Sequence, residues 1–348
     1  MRNSVVTALF LLVGVSLWAG EARVLRPALA IPLPTEAKHP RDVTWLSADV
    51  LLATATGGVF EISLEKAEPR LYVPEGPLPD GSPDPELIDA DESTVFVMGG
   101  GRRNYLQLDW SGSPLFSFAG GPLVPRGLAV VDGHAFILGW MAGKPSSAEE
   151  AGALWKVPLG DALSDMVAIH SIESDDEAVG QFRTTGFPYA GAVVAEPTGT
   201  IAVMTTVEPG IFRYTAEGRL EEVIAPELEL SIDHRHLAAN FARDVTGRYT
   251  EMLNRQPLLE DLVSTPFGLA VLIRTVEANE VGWTLRFVEG KRNGEEIALE
   301  PRANGPFGHM RCESRGSMMA CIASFPPKQD AKTPADHGSK PTVLLYEF

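Results

Sequence analysis

One phrase recurs along this chain: two short apolar runs hinged on a turn. It stands as PRGLAVVDGHAFILG from Pro125, as PYAGAVVAEPTGTIAVM from Pro188 and as VSTPFGLAVLI from Val263. Asp-Gly, Thr-Gly or Phe-Gly between β-prone runs is a hairpin signal, because such turns need residues that tolerate positive φ. A lone hairpin buries too little apolar surface to be stable in water. Recurrence of the phrase therefore demands an architecture in which repeats stack and bury one another.

Strand-like runs rich in Val, Ile, Leu, Phe and Thr, bounded by Gly, Pro and Asp, fall into groups of four. The first is DVTWLS, DVLLATA, GVFEIS and RLYV, and the second is ELIDAD, TVFVMG, YLQLDW and PLFSFA. The third runs through GLAVV, HAFILGW, ALWKVPL and MVAIHSI, and the fourth through AGAVVAE, TIAVMTT, IFRYTAEG and LEEVI. LLEDLVS, LAVLIRTV, WTLRFVEG and EEIALE make the fifth, which places Pro266-Phe267-Gly268 at its first turn. The last group, HMRCES, MMACIASF and TVLLYEF, lacks a strand, and VLRPALAIPL near the N-terminus can supply it. This pattern predicts an all-β fold: a six-bladed β-propeller in one domain over residues 23–348, its last blade closed by an N-terminal strand.

The phrases from Pro125 and Pro188 resemble the NHL-type repeat, Pro-x-Gly-φ-Ala-Val followed by a turn, a second apolar strand and a third ending near glycine, the second phrase carrying Gly191 one place late. The Asp…Asn-x-Arg element of typical NHL blades is absent, so the resemblance extends to the wider six-bladed group that includes TolB-like propellers. It implies architecture and no particular activity.

Residues 1–22 read as a cleaved secretory signal: Arg2, an apolar run from Val5 to Trp18, then Gly20-Glu21-Ala22. That run is about 14 residues, short of the roughly 20 that span a bilayer as a helix. The expected location is secreted or periplasmic, with no membrane insertion after cleavage. A net charge of −17 disfavours a phosphate backbone and with it nucleic acid; a cation, a basic partner or a neutral ligand fits better. The only cysteines, Cys312 and Cys321, flank a turn at Arg315-Gly316-Ser317, which sets them on facing strands within reach of a disulfide.

Loop lengths divide the two faces of the ring. First-to-second and third-to-fourth turns are mostly short, as at Asp132-Gly133 and Glu217-Gly218, whereas second-to-third loops and blade links hold long insertions such as PEGPLPDGSPDP and ESDDEAVGQFRTTGFP. Loops on a rigid scaffold are where function concentrates, so the expected partner, a small molecule or a protein, meets the long-loop face. The insertion at residues 226–257, between the fourth and fifth blades, is predicted to be helical. Leu237, Phe241, Val245, Tyr249 and Met252 form its apolar stripe, and His236, Asn240 and Asp244 share another face. Arg102, Arg103, Trp140, Arg183 and Tyr189 complete the candidate ligand-binding set near the same mouth.

No Gly-x-Ser-x-Gly or His-Glu-x-x-His motif is present, and no metal spacing stands out. The reading favoured by the sequence is an exported, non-catalytic propeller that binds through its long-loop face. The alternative is a metal-assisted hydrolase or lyase acting on a small ester, lactone or saccharide, which would bring carboxylates or histidines from several blades to one point. The sequence names no cofactor.

Overall fold

The computed structural model describes residues 23–34, 36–73, 85–99, 104–118, 123–141, 152–160, 165–171, 191–205, 208, 210–225, 257–277, 280–304, 309–324 and 341–348. They form six sheets, one per blade of the propeller, antiparallel except for one added strand in blade 5. The N-terminal segment contributes β1 (Arg23–Leu25) and β2 (Leu29–Pro32), which belong to the last two blades. Blade 1 is β3 (Lys38–Ser47), β4 (Val50–Thr56), β5 (Gly58–Ser63) and β6 (Glu68–Val73). Blade 2 follows as β7 (Pro85–Ala90), β8 (Thr94–Gly99), β9 (Asn104–Asp109) and β10 (Pro114–Phe118). Blade 3 is β11 (Leu123–Val131), β12 (His134–Met141), β13 (Gly152–Pro158) and β14 (Val167–Ser171). Blade 4 comprises β15 (Gly191–Ala195), β16 (Ile201–Thr205), β17 (Ile211–Tyr214) and β18 (Leu220–Ile224).

In blade 5, β19 (Leu258–Thr265), β20 (Gly268–Glu277), β21 (Glu280–Phe287) and β22 (Glu296–Asn304) gain a fifth strand, because β1 pairs in parallel with β22. Blade 6 contains β23 (His309–Arg315), β24 (Met318–Ser324) and β25 (Thr342–Glu347), and β2 pairs antiparallel with β25 to give it four strands. The residues expected to form a helical insertion, 226–256, lie outside the described residues.

The apolar period of two explains why these sheets stack. Each buries both faces, and the core divides into clusters that each straddle one seam between neighbouring blades. Val43, Trp45 and Phe60 of blade 1 meet Ala320, Ile322 and Val343 of blade 6, while Leu52 and Val59 meet Ile88 and Val97 of blade 2. Phe96 and Tyr105 pack on Leu128 and Ile137, Phe136 and Leu138 on Val193 and Val203, and Met204 and Ile211 on Leu262 and Val271. Trp283 and Phe287 meet Met310, Cys321 and Tyr346 across the remaining seam.

The repeated phrase has a local cause at two points. Asp132 and Gly133 both take positive φ, 49° and 69°, as a two-residue type I′ hairpin requires. At Gly191 a Cβ would come within 2.4 Å of the Met204 carbonyl oxygen, so close strand approach excludes any side chain.

Cys312 and Cys321 face each other on β23 and β24 and are joined as a disulfide. It closes a short loop in the blade to which β2 is paired. Replacing both by alanine should lower the unfolding free energy by about 2–3 kcal/mol in urea titrations; an unchanged midpoint would show that the hairpin does not need its cross-link.

Candidate functional site

The innermost strand of every blade, β3, β7, β11, β15, β19 and β23, is paired on one side only and turns its free edge to the central axis. Together these edges enclose a cavity of about 350 Å³. Its lining lies on the later part of each inner strand and on the turns that follow, including Asp91, Glu92, Glu196, Pro197 and Arg315. It therefore opens toward the short-turn face. Trp110, 41% exposed in a third-to-fourth turn, stands at this mouth with its indole N–H donated to the Asp91 carbonyl at 3.1 Å.

The wall has two characters. Blades 3 and 4 contribute Gly127, Leu128, Ala129, Val130 and Val193, Val194, Ala195, the small and apolar residues of the recurring phrase. The other blades each place a carboxylate there: Asp42, Asp89, Asp261 and Glu313, with Arg311 the one cation at that depth among the described residues. These carboxylates share one geometry, each reaching across a seam to the inner strand of the next blade. Asp42 accepts from the Val43 N–H and from Ile88 N–H, both at 3.0 Å. Asp89 accepts from Ala90 at 2.8 Å, Val130 at 2.5 Å and the Thr44 hydroxyl at 3.1 Å. Asp261 accepts from Leu262 at 3.0 Å, and from Cys312 at 2.8 Å in the next blade. Glu313 accepts from Trp45 N–H at 3.2 Å, so the same device joins the last blade to the first.

Arg311 donates to Asp261 at 3.2 Å and to the Arg126 carbonyl of blade 3 at 3.4 Å. Its guanidinium thus spans the axis and floors the cavity. Burial raises the carboxyls above their ordinary values. Asp42 is pushed up to about 7 by burial, against the pull of Arg311 and two N–H donors and with reinforcement from Asp261. Burial takes Asp89 to about 6, opposed by its N–H and Thr44 bonds. Asp261 is raised by burial despite Arg311, and Glu313 is raised well above the usual carboxylate range by burial and by the charges of Asp89 and Asp42.

Two further clusters frame the ring. Near the mouth, Arg213 of β17 binds Glu196 through Nε at 2.6 Å and also pairs with Glu222 and with Glu289 of blade 5, which fixes the lining residue Glu196. On the long-loop side, His170 of β14 sits between the Tyr214 hydroxyl at 2.5 Å and Glu208 at 2.7 Å, tying blade 3 to blade 4. Among the described residues no group of three or more His, Cys, Asp or Glu is placed to hold a metal ion.

The candidate residues Arg102, Arg103, Arg183, Tyr189, His236, Asn240 and Asp244 lie outside the described residues. Trp140 is placed by its backbone on β12, opposite Val124. Sequence reasoning missed the ring carboxylates. Their signal was present as an acid in place of a small apolar residue on an inner strand, in DVTWLS, ELIDAD, LLEDLVS and HMRCES.

No family model matches the chain, and no curated protein matches it in sequence. Solved structures do. A gluconolactonase from Xanthomonas campestris superposes at a TM-score of 0.51 with 11% identity over 91% of this chain and 89% of that one. A calcium-binding protein, regucalcin, from Agrobacterium tumefaciens gives 0.50 with 11% identity over 94% of this chain and 97% of its own. At such identities these likenesses establish the propeller fold and leave activity open.

Removing one ring carboxylate strands the donors it serves. Asp89→Ala leaves Val130 N–H and the Thr44 hydroxyl without that acceptor, and should cost about 1–3 kcal/mol in urea unfolding. A loss below a few tenths would mean that the seam is held by apolar packing alone.

Proposed function

We propose that the protein is an exported, non-catalytic binding propeller whose ligand, a neutral or cationic small molecule, occupies the central channel and enters past Trp110. The observation that carries this reading is that the ring carboxylates are already engaged: Asp42, Asp89, Asp261 and Glu313 each accept a backbone N–H from the neighbouring blade. A general base or nucleophile needs a lone pair free to meet its substrate. These side chains are spent on structure, which leaves a shaped cavity with an apolar wall, an aromatic lip and, above the Arg311 guanidinium, a wall in which acids outnumber cations. Such a lining selects against anions. The Cys312–Cys321 bond fits an oxidising compartment and supports export.

A second reading is favoured by one observation. Carboxylates from different blades do converge on one cavity, as a metal-assisted hydrolase or lyase acting on a small ester, lactone or saccharide requires.

One set of measurements separates the two. Calorimetric titration with choline as the organic cation, glucose as the neutral probe and citrate as the anion should show millimolar or tighter binding of choline or glucose and none of citrate, with the heat lost in Trp110→Ala. Turnover of p-nitrophenyl acetate or δ-valerolactone in the presence of Ca²⁺, Mn²⁺ or Zn²⁺, abolished by Asp42→Asn, would instead establish the second reading. Silence of both choline and glucose would count against the channel as a binding site for these ligand classes.

A further inference from the structure

The carboxylates at the axis are unevenly distributed around the ring. Four seams are bridged by an acid: blade 1 to 2 by Asp42, 2 to 3 by Asp89, 5 to 6 by Asp261 and 6 to 1 by Glu313. At the seams from 3 to 4 and from 4 to 5 the corresponding contacts are apolar, with Ala129 against Val193 and Ala192 against the blade 5 residues Leu262 and Leu269. One half of the ring therefore carries acid links at the axis; the other two seams carry their ionisable links away from it, His170 with Glu208 between blades 3 and 4 and Arg213 with Glu289 between blades 4 and 5.

The acids also sense one another. Asp42 faces Ile88 and Val43 N–H groups, Arg311 and Asp261. Asp89 faces Val130 and Ala90 N–H groups, the Thr44 hydroxyl and Asp91. Glu313 faces Trp45 N–H, Thr44, Asp89 and Asp42, and Asp261 faces Arg311 with the N–H groups of Cys312 and Leu262. Arg311 is shared by Asp261, Asp42 and Glu260. Glu260 in turn accepts from Met310 N–H and Trp283 Nε1 and pairs with His309 and, at 3.6 Å, with the buried Arg274. Arg274 compensates Glu260, which leaves Arg311 as the guanidinium for Asp42 and Asp261; with Asp89 and Glu313 also ionised the ring holds uncompensated negative charge, and burial makes that charge costly.

We propose that this ring is a proton-operated clamp: mild acidification tightens the four acid-bridged seams at the axis, and ionisation above neutrality loosens them, while the axial contacts between blades 3 and 4 and between blades 4 and 5, which hold no acid, do not follow. A protonated carboxyl keeps one oxygen as acceptor for the next blade's N–H and gains a donor for a neighbouring acid or hydroxyl. The clamp is thereby retained, and the repulsion across the axis is removed. The direction follows from linkage. Folding raises Asp42 from 3.8 to about 7 and Asp89 to about 6, so the folded protein binds more protons than the unfolded chain between those values. The stability this provides is fully present below about pH 4 and is lost as pH rises through 6 to 7. The clamp is a property of the ring itself and is independent of what the channel binds.

The test is the melting temperature from pH 5 to 8 in high salt, which screens the repulsion of the acidic surface but not that of the buried ring. The clamp predicts a fall of several degrees across this range. Asp42→Asn combined with Asp89→Asn should flatten that slope. Native-state hydrogen exchange on the unmodified protein, corrected for the intrinsic pH dependence, supplies a readout that needs no variant. The amides of Trp45, Ile88, Val130 and Cys312 should lose protection at pH 8 relative to pH 5.5, while those of Ala192 and Val193 do not. A melting temperature that is flat or rises from pH 5 to 8, a slope unchanged in the double variant, or equal deprotection at all seams would each overturn the proposal.

Discussion

Each blade brings to the axis an edge strand whose inward N–H groups have no partner in its own sheet, and a buried donor left unpaired is expensive. The carboxylates of Asp42, Asp89, Asp261 and Glu313 answer that constraint by accepting N–H groups of the neighbouring inner strand. Apolar stacking supplies most of the cohesion between blades, since every seam holds its own cluster of buried side chains. Stacking is not directional, however, and the carboxylate bonds set the register at which neighbouring inner strands meet. The link from Glu313 to Trp45, joining the last blade to the first, gives ring closure a directional bond in addition to packing.

The same side chains govern the chemistry of the channel. In the proposed function, side chains committed to the scaffold line a cavity that holds a molecule and does not transform it. Because they are buried and crowded around a single guanidinium, their protonation is bound to folding. Blades 3 and 4, whose inner strands line the cavity with glycine, alanine, valine and leucine, form the neutral wall against which an apolar part of the proposed ligand can rest. Arg311 divides the axis, and Trp110 marks the accessible end. In that proposal, structure and binding draw on one set of residues.

Most of the architecture could be read from the sequence, since the grouping of strand-like runs in fours coincides with the sheets. Period-two apolar patterning with Gly and Asp turns is a local signal, and Asp132-Gly133 reports its own hairpin directly. The phrase was clearest in blades 3 and 4 because seams without acids are written in small apolar residues alone; in blades 1, 2, 5 and 6 an acid interrupts the pattern and disguises the repeat. The parallel pairing of β1 with β22 was not legible, because a three-residue strand carries no periodicity of its own. The ring carboxylates were equally hidden. What makes Asp42 or Asp261 notable is burial and the backbone it meets, and those are set by residues about 50 positions away in sequence. The expectation drawn from loop lengths concerns the other face, and its candidate residues other than Trp140 lie outside the described residues.

The most direct test of this account is the ionisation of the ring itself. Carboxyl carbon NMR on protein labelled at aspartate, with Asp42→Asn and Asp89→Asn used to assign the two signals, follows each group through its titration. The account predicts midpoints near 7 for Asp42 and near 6 for Asp89. Midpoints for both near 4, the range of a solvated aspartate, would show that the carboxyls are hydrated and free, and would contradict the view that they are the buried links of the ring.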